Sequence, residues 1–164
     1  MKNYILIMGC LFITCCGMQN RGINLKYNTN MKEDGYQPLS DFKNDTISYI
    51  KDNFIKHKSN YIGKEIKNLL NDLELPIKIY YLGIDPNVEQ YYYITFQFYN
   101  DSEVDDKVRN KVDPLILNIF LENPVKTTIP LSIYKKANKN WTKDASEFWE
   151  TQKIKDIEMV NHKF

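Results

Sequence analysis

The pattern of apolar residues predicts an α+β fold, with an N-terminal helical hairpin packed on an antiparallel sheet of about four to five strands. Three observations carry that expectation. Apolar residues recur at helical spacing up to Pro76, at every second residue after it, and at helical spacing again over residues 141–149. These two periods belong to one face of a helix and one face of a strand.

Ser40 or Asp41 is placed to cap a first helix. In it Ile47, Ile50 and Phe54 fall at i, i+3 and i+7, and Lys56, His57 and Lys58 form a cationic last turn. Gly63 reads as a break. Ile66, Leu69, Leu70 and Leu73 then occupy i, i+3, i+4 and i+7 of a second helix, which Pro76 ends. In the first strand Ile77, Ile79 and Tyr81 alternate with Lys78 and Tyr80, and a turn region from Gly83 to Asn87 leads into a second strand over 90–99. Residues 100–112 are charged and polar, a loop or a short helix.

Asp113-Pro114 opens a third strand over 115–121, and Asn123-Pro124 reads as a turn. Residues 125–134 read as a fourth strand in which Pro130 predicts an edge position or a bulge. Trp141, Ala145, Phe148 and Trp149 make a short amphipathic helix, and 153–160 a closing strand. The order αα-ββββ-α-β places helices on one face of one sheet. In element order it is similar to the helix-pair-plus-meander modules of β-lactamase-inhibitor-like periplasmic proteins.

The N-terminus carries an address. Met1-Lys2-Asn3 precedes an apolar run over 4–14, interrupted by Gly9, and then Cys15-Cys16-Gly17. A short positive end, an apolar segment of about 7–15 residues and a small-residue boundary make a secretory signal, too short to span a bilayer. Ile13-Thr14-Cys15-Cys16 resembles the lipobox of type II signal peptides, with Cys16 as the lipidated residue and Cys15 as the alternative register. Ile7-Met8-Gly9-Cys10 leaves too little apolar length before it. Cysteine just before the cut departs from the usual Gly, Ala or Ser. An ordinary cleaved signal is the competing reading; all 3 cysteines lying at or before position 16 favours the lipobox.

The resemblance implies a bacterial lipoprotein held in a membrane by acyl chains, each buried methylene contributing about 0.8 kcal/mol. It divides the chain into a signal peptide (1–15), a flexible tether (16–38) and a single α+β domain (39–164). A tether of about 20 residues reaches roughly 25 Å, enough to clear lipid head groups. Gly17-Met18 lacks an inner-membrane retention aspartate and 18–21 lacks an acidic surface-export signal. By that analogy the anchor sits in the outer membrane and faces the periplasm.

Composition narrows the chemistry. Beyond position 16 there is no cysteine for a disulfide, a thiolate nucleophile or a metal site. Removal of 1–15 takes away Lys2 alone among the charged residues and leaves cations and anions balanced, without the basic surplus that nucleic-acid binding requires. Arginine occurs only at Arg21 and Arg109, against abundant Lys, Asn, Ile and Tyr, residues that share AT-rich codons. The bias is similar to that of small lipoproteins of AT-rich Bacteroidota.

There is no Gly-x-Ser-x-Gly elbow and no Ser-x-x-Lys pair. His57 belongs to a helix end and His162 to the chain end. Tyr61-Ile62-Gly63-Lys64 lacks the spacing of a phosphate loop. Asp101, Glu103, Asp105 and Asp106 form one acidic cluster, but the EF-hand positions for glycine and glutamate hold Asp106 and Val112, so a solvated segment is expected and no metal or cofactor.

The second strand holds the candidate surface. Tyr92, Ile94, Phe96 and Phe98 fit a core face, and Tyr91, Tyr93, Thr95, Gln97 and Tyr99 the opposite one. Lys78, Tyr80, Asn118, Thr128, Ser132 and Tyr134 extend that face if registers match. Tyr80, Tyr91, Tyr93, Gln97, Tyr99 and Tyr134 are therefore the candidate binding residues. Tyrosine offers rigid apolar area with a polar tip, suited to an envelope protein or a polysaccharide. The competing reading is strand propensity and codon bias. The expected function is a non-catalytic binding or structural module, of which an immunity or inhibitor protein is one form; the alternative is an envelope hydrolase with paired carboxylates.

Overall fold

The computed structural model describes residues 35–85 and 87–164. The signal peptide, Cys15, Cys16 and all but the end of the tether lie outside the described residues. The described part is α+β, with a four-stranded antiparallel sheet in the order β1-β2-β3-β4: β1 Ile79–Asp85, β2 Gln90–Gln97, β3 Ile116–Lys126 and β4 Ile154–Met159. Helical segments precede the sheet (α1 Thr46–Ile50, α2 Ile66–Asp72), follow β2 (α3 Asp101–Arg109) and separate β3 from β4 (α4 Thr128–Ala137, α5 Lys143–Trp149).

Residues 36–39, most of them assigned to the tether, are bound to the domain. Asn53 Oδ1 accepts the Gln37 N–H and its Nδ2 donates to the Gln37 carbonyl, both at 2.9 Å. The Tyr36 hydroxyl donates to Glu74 Oε1 at 2.9 Å, and Glu74 Oε2 accepts the Leu39 N–H at 3.0 Å. Ser40 and Asp41 cap no α-helix; they lie in a 3-10 turn, Leu39–Phe42, closed by left-handed Lys43 and Asn44. Asp45 caps α1 instead, accepting the N–H groups of Ile47 and Ser48 at 3.1 Å, and these bonds hold its carboxyl below the usual carboxylate range. The helix continues past Ile50 as a π-helical run, Lys51–Lys56. Gly63 has φ +78, which suits the break before α2.

Residues 125–134 are not a fourth strand: β3 runs on to Lys126 and α4 follows. Pro130 sits in the first turn of α4, where a missing N–H leaves no intrahelical bond unmade. Pro130, Ile133 and Tyr134 then share a helix face at i, i+3 and i+4, and left-handed Asn138 closes the helix. Asn123-Pro124 does not end a strand either. The β2–β3 ladder passes from Tyr93↔Phe120 to Tyr91↔Val125, so 121–124 form an excursion within β3.

One hydrophobic cluster joins the helices to one sheet face. It includes Ile50, Phe54, Ile66 and Leu69 from the first helical segments, Ile94, Phe96, Leu117 and Ile119 from the central strands, and Ala145 and Trp149 from α5. Both sheet edges are partly closed by chain. The Tyr80 N–H donates to the Lys139 carbonyl (2.9 Å) beside β1, and the Ile154 N–H to the Lys64 carbonyl (2.9 Å) beside β4. Short covered edges resist pairing with other chains.

Candidate functional site

Strand alternation puts Gly83, Tyr93, Phe120 and Asp156 in one row across the sheet face opposite that cluster, and Tyr81, Thr95, Asn118 and Glu158 in the next. A third row, Ile79, Gln97 and Ile116, is buried. α3 is held against this end. The Tyr81 hydroxyl donates to Asp101 Oδ1 at 2.7 Å, Lys139 pairs with Asp101, and Lys78 Nζ donates to Glu103 Oε2 at 3.0 Å. The first two rows remain open.

Gly83 shapes the open part. A Cβ on Gly83 would meet Cζ, Cε1 and Cε2 of Tyr93 at 2.2, 2.3 and 2.4 Å, so the Tyr93 ring lies across the glycine backbone. An aromatic ring over a cross-strand glycine covers backbone that has no side chain of its own. Phe120 flanks the ring on the other side, with centroids 5.2 Å apart at 41°. Thr95 Oγ1 donates to Asn118 Oδ1 at 2.7 Å in the neighbouring row. Asp156 Oδ1 accepts from Lys58 Nζ at 2.7 Å and from the Ile157 N–H at 2.8 Å; the net effect lowers its carboxyl pKa, burial opposing these bonds.

Two expected face residues are core residues. Tyr91 is 5% exposed, because Tyr92 is bulged out of both of its ladders: Gly83↔Tyr93 is followed by Ile84↔Tyr91, and Phe120↔Tyr93 by Val125↔Tyr91. A bulge of one residue returns the next side chain to the opposite face. Tyr80 is fully buried opposite Phe96, edge-on to Trp141 (5.4 Å) and Tyr134 (5.3 Å). Burial pushes its hydroxyl up to about 12.

The remaining four divide. Tyr93 is on the open face, half-buried as a platform residue should be. Gln97 is on the same face but 8% exposed, in the buried third row. Tyr99 lies past the end of β2, with Lys107 Nζ 4.2 Å and Lys78 Nζ 6.0 Å from its ring centroid. Tyr134 belongs to α4 and packs on Tyr80. Sequence reasoning missed Gly83, Tyr81 and Phe120 as face residues. A glycine inside a strand pattern, two residues past Tyr81, was the available signal.

The acidic cluster is helical and largely committed. Glu103 accepts the Asn100 N–H at 2.7 Å, completing a capping box, and that bond, followed by Lys78, keeps its carboxyl low. The Lys139 bond does the same for Asp101, and Asp106 pairs with Arg109. Among the described residues no group of three His, Cys, Asp or Glu side chains could hold a metal ion, and no helix is long and apolar enough to cross a membrane. His57 Nδ1 lies 2.7 Å from the Asp52 carbonyl, and the His162 ring stacks on Phe164. A cleft of about 500 Å³ opens between the π-helical run and β4, with Ile55, Ile157 and Met159 among its apolar lining and Lys51, Lys56 and Lys58 around it.

No protein-family model, curated protein or solved structure matches this chain.

Proposed function

We propose that this protein is a lipid-anchored component of the bacterial cell envelope, fixed through Cys16 to the outer membrane and facing the periplasm, and that it acts as a non-catalytic binding module. The first two helical segments serve as a hairpin that backs the sheet and leaves its opposite face free for a ligand. The observation that supports this reading is the half-buried Tyr93–Phe120 pair, with Tyr93 laid over Gly83, on the sheet face opposite the core cluster. Half-buried aromatic rings beside hydrogen-bonding groups suit recognition of a protein surface.

The test is capture from solubilised envelope on immobilised full-length protein, beside a Y93S/F120S variant checked by circular dichroism. A partner retained by the wild type and lost from the folded variant supports the reading; equal capture by both refutes it. The anchor is tested separately. Cells fed an alkyne analogue of palmitate should label the wild type and Cys15→Ser but not Cys16→Ser, and unlabelled wild type would remove the anchor.

A further inference from the structure

We propose that residues 23–27 of this chain dock as an added strand along the outer edge of β4, filling the cleft between β4 and the π-helical run. Three observations lead there. First, the cleft follows the edge of a strand. β4 ends the sheet, and Ile157 and Met159, which pack toward the core, line the cleft together with Glu158 from the opposite face. A cleft that meets both faces of an edge strand runs along its backbone. The Val160 N–H donates to the Ile116 carbonyl at 2.9 Å, so in this antiparallel ladder Glu158 turns its backbone groups toward β3 and Met159 turns its own outward. Gly63, Lys64 and Glu65 close the edge at Lys153 and Ile154; among the described residues no strand pairs with it from Lys155 on. An open edge is a template for one more strand.

Secondly, the chain enters the described part beside this cleft. A Cβ on Gly35 would lie 3.7 Å from His57 Nε2, and His57 sits between Lys56 and Lys58, which line the cleft. The stretch from Tyr27 to Gly35 can span up to about 28 Å, whereas a strand the length of β4 covers only about 20 Å. Thirdly, the sequence of the segment alternates. Ile23, Leu25 and Tyr27 are separated by Asn24 and Lys26, the period of a strand with one apolar side. Its apolar side matches Ile55, Ile157 and Met159, and its polar side brings Lys26 toward Glu158. One consequence rests on the anchor reading above. With Cys16 in the membrane, residues 17–22 alone would separate lipid from the docked strand, a reach of at most about 25 Å, and the β4 edge would face the bilayer.

Full-length protein in zwitterionic detergent micelles would be followed by amide hydrogen exchange and by nuclear Overhauser contacts. Slow exchange at Met159 and at residues 23–27 is expected, with contacts between the Leu25 and Ile157 methyl groups at every protein concentration. Leu25→Asp should speed exchange at both sites about tenfold, and Lys26→Glu about threefold, each with an unchanged circular dichroism spectrum. Unprotected amides at residues 23–27 overturn the inference, and so does Met159 protection that survives L25D, since another element would then cover the edge. Protection that grows with protein concentration overturns it in favour of a second copy. If the palmitate label fails while these contacts persist, the docked strand stands and only its orientation toward the bilayer is lost.

Discussion

Gly83 and Tyr93 show how one missing side chain builds a surface. Replacing Gly83 by alanine drives a methyl group into the Tyr93 ring at 2.2–2.4 Å. The atoms it meets are the outer end of a half-exposed side chain, which can swing away, so Gly83→Ala should cost only about 1 kcal/mol in urea unfolding. The ring must nevertheless leave its seat. Tyr93 ring resonances should move and its affinity for a ligand should fall, and unchanged resonances would mean that the ring does not stack on the glycine. Adjacent tyrosines separate in the same way. Tyr91→Ser empties a core position that is 5% exposed and should cost about 3 kcal/mol, whereas Tyr93→Ser should cost less than about 1 kcal/mol. Equal costs would argue against the Tyr92 bulge.

At the scale of elements, the N-terminal strap is bound through phenol groups. The Tyr49 hydroxyl donates to the Asp72 carbonyl and accepts the Glu74 N–H, both at 2.9 Å, and lies 2.9 Å from the Tyr36 hydroxyl. Burial raises both phenols, Tyr49 from 10.0 to about 12 and Tyr36 further. The protonated forms are favoured by folding, so their stabilisation is whole below pH about 10 and is lost as pH climbs through the folded-state values. Urea midpoints should therefore fall above pH about 10, and fall less in a Tyr36→Phe variant. A wild-type midpoint flat across that range would rule the strap out as the alkaline-sensitive element.

The same elements show why sequence pattern was a partial guide. Ile66, Leu69 and Leu70, Ile94 and Phe96, and Ala145 and Trp149 all lie in the core as their spacing predicts, because each run has one period and one buried side. Residues 125–134 misled because Thr128, Ile129 and Ile133 favour strands, while first-turn Pro130 and the packing of Tyr134 on Tyr80 decide for a helix. Tertiary packing overrides β-propensity in this way. The candidate face was half readable. Alternation identified Tyr93, Thr95 and Asn118 together, but no local signal marks a bulge at Tyr92 or sets the phase of β1 that buries Tyr80.

Across the whole molecule, stability rests on packing rather than on surface charge. The core that joins helices to sheet is apolar and aromatic, with Trp149, Tyr49 and Phe54 fully buried. The ion pairs Lys136–Asp144, Lys143–Glu147 and Asp106–Arg109 are all more than half exposed, so each contributes little to stability. Raising sodium chloride from about 0.1 M to about 1 M shortens the screening length from about 10 Å to about 3 Å. The urea midpoint should therefore hardly change, and a midpoint that falls steeply over that range would mean that these exposed ion pairs carry a real share of the stability.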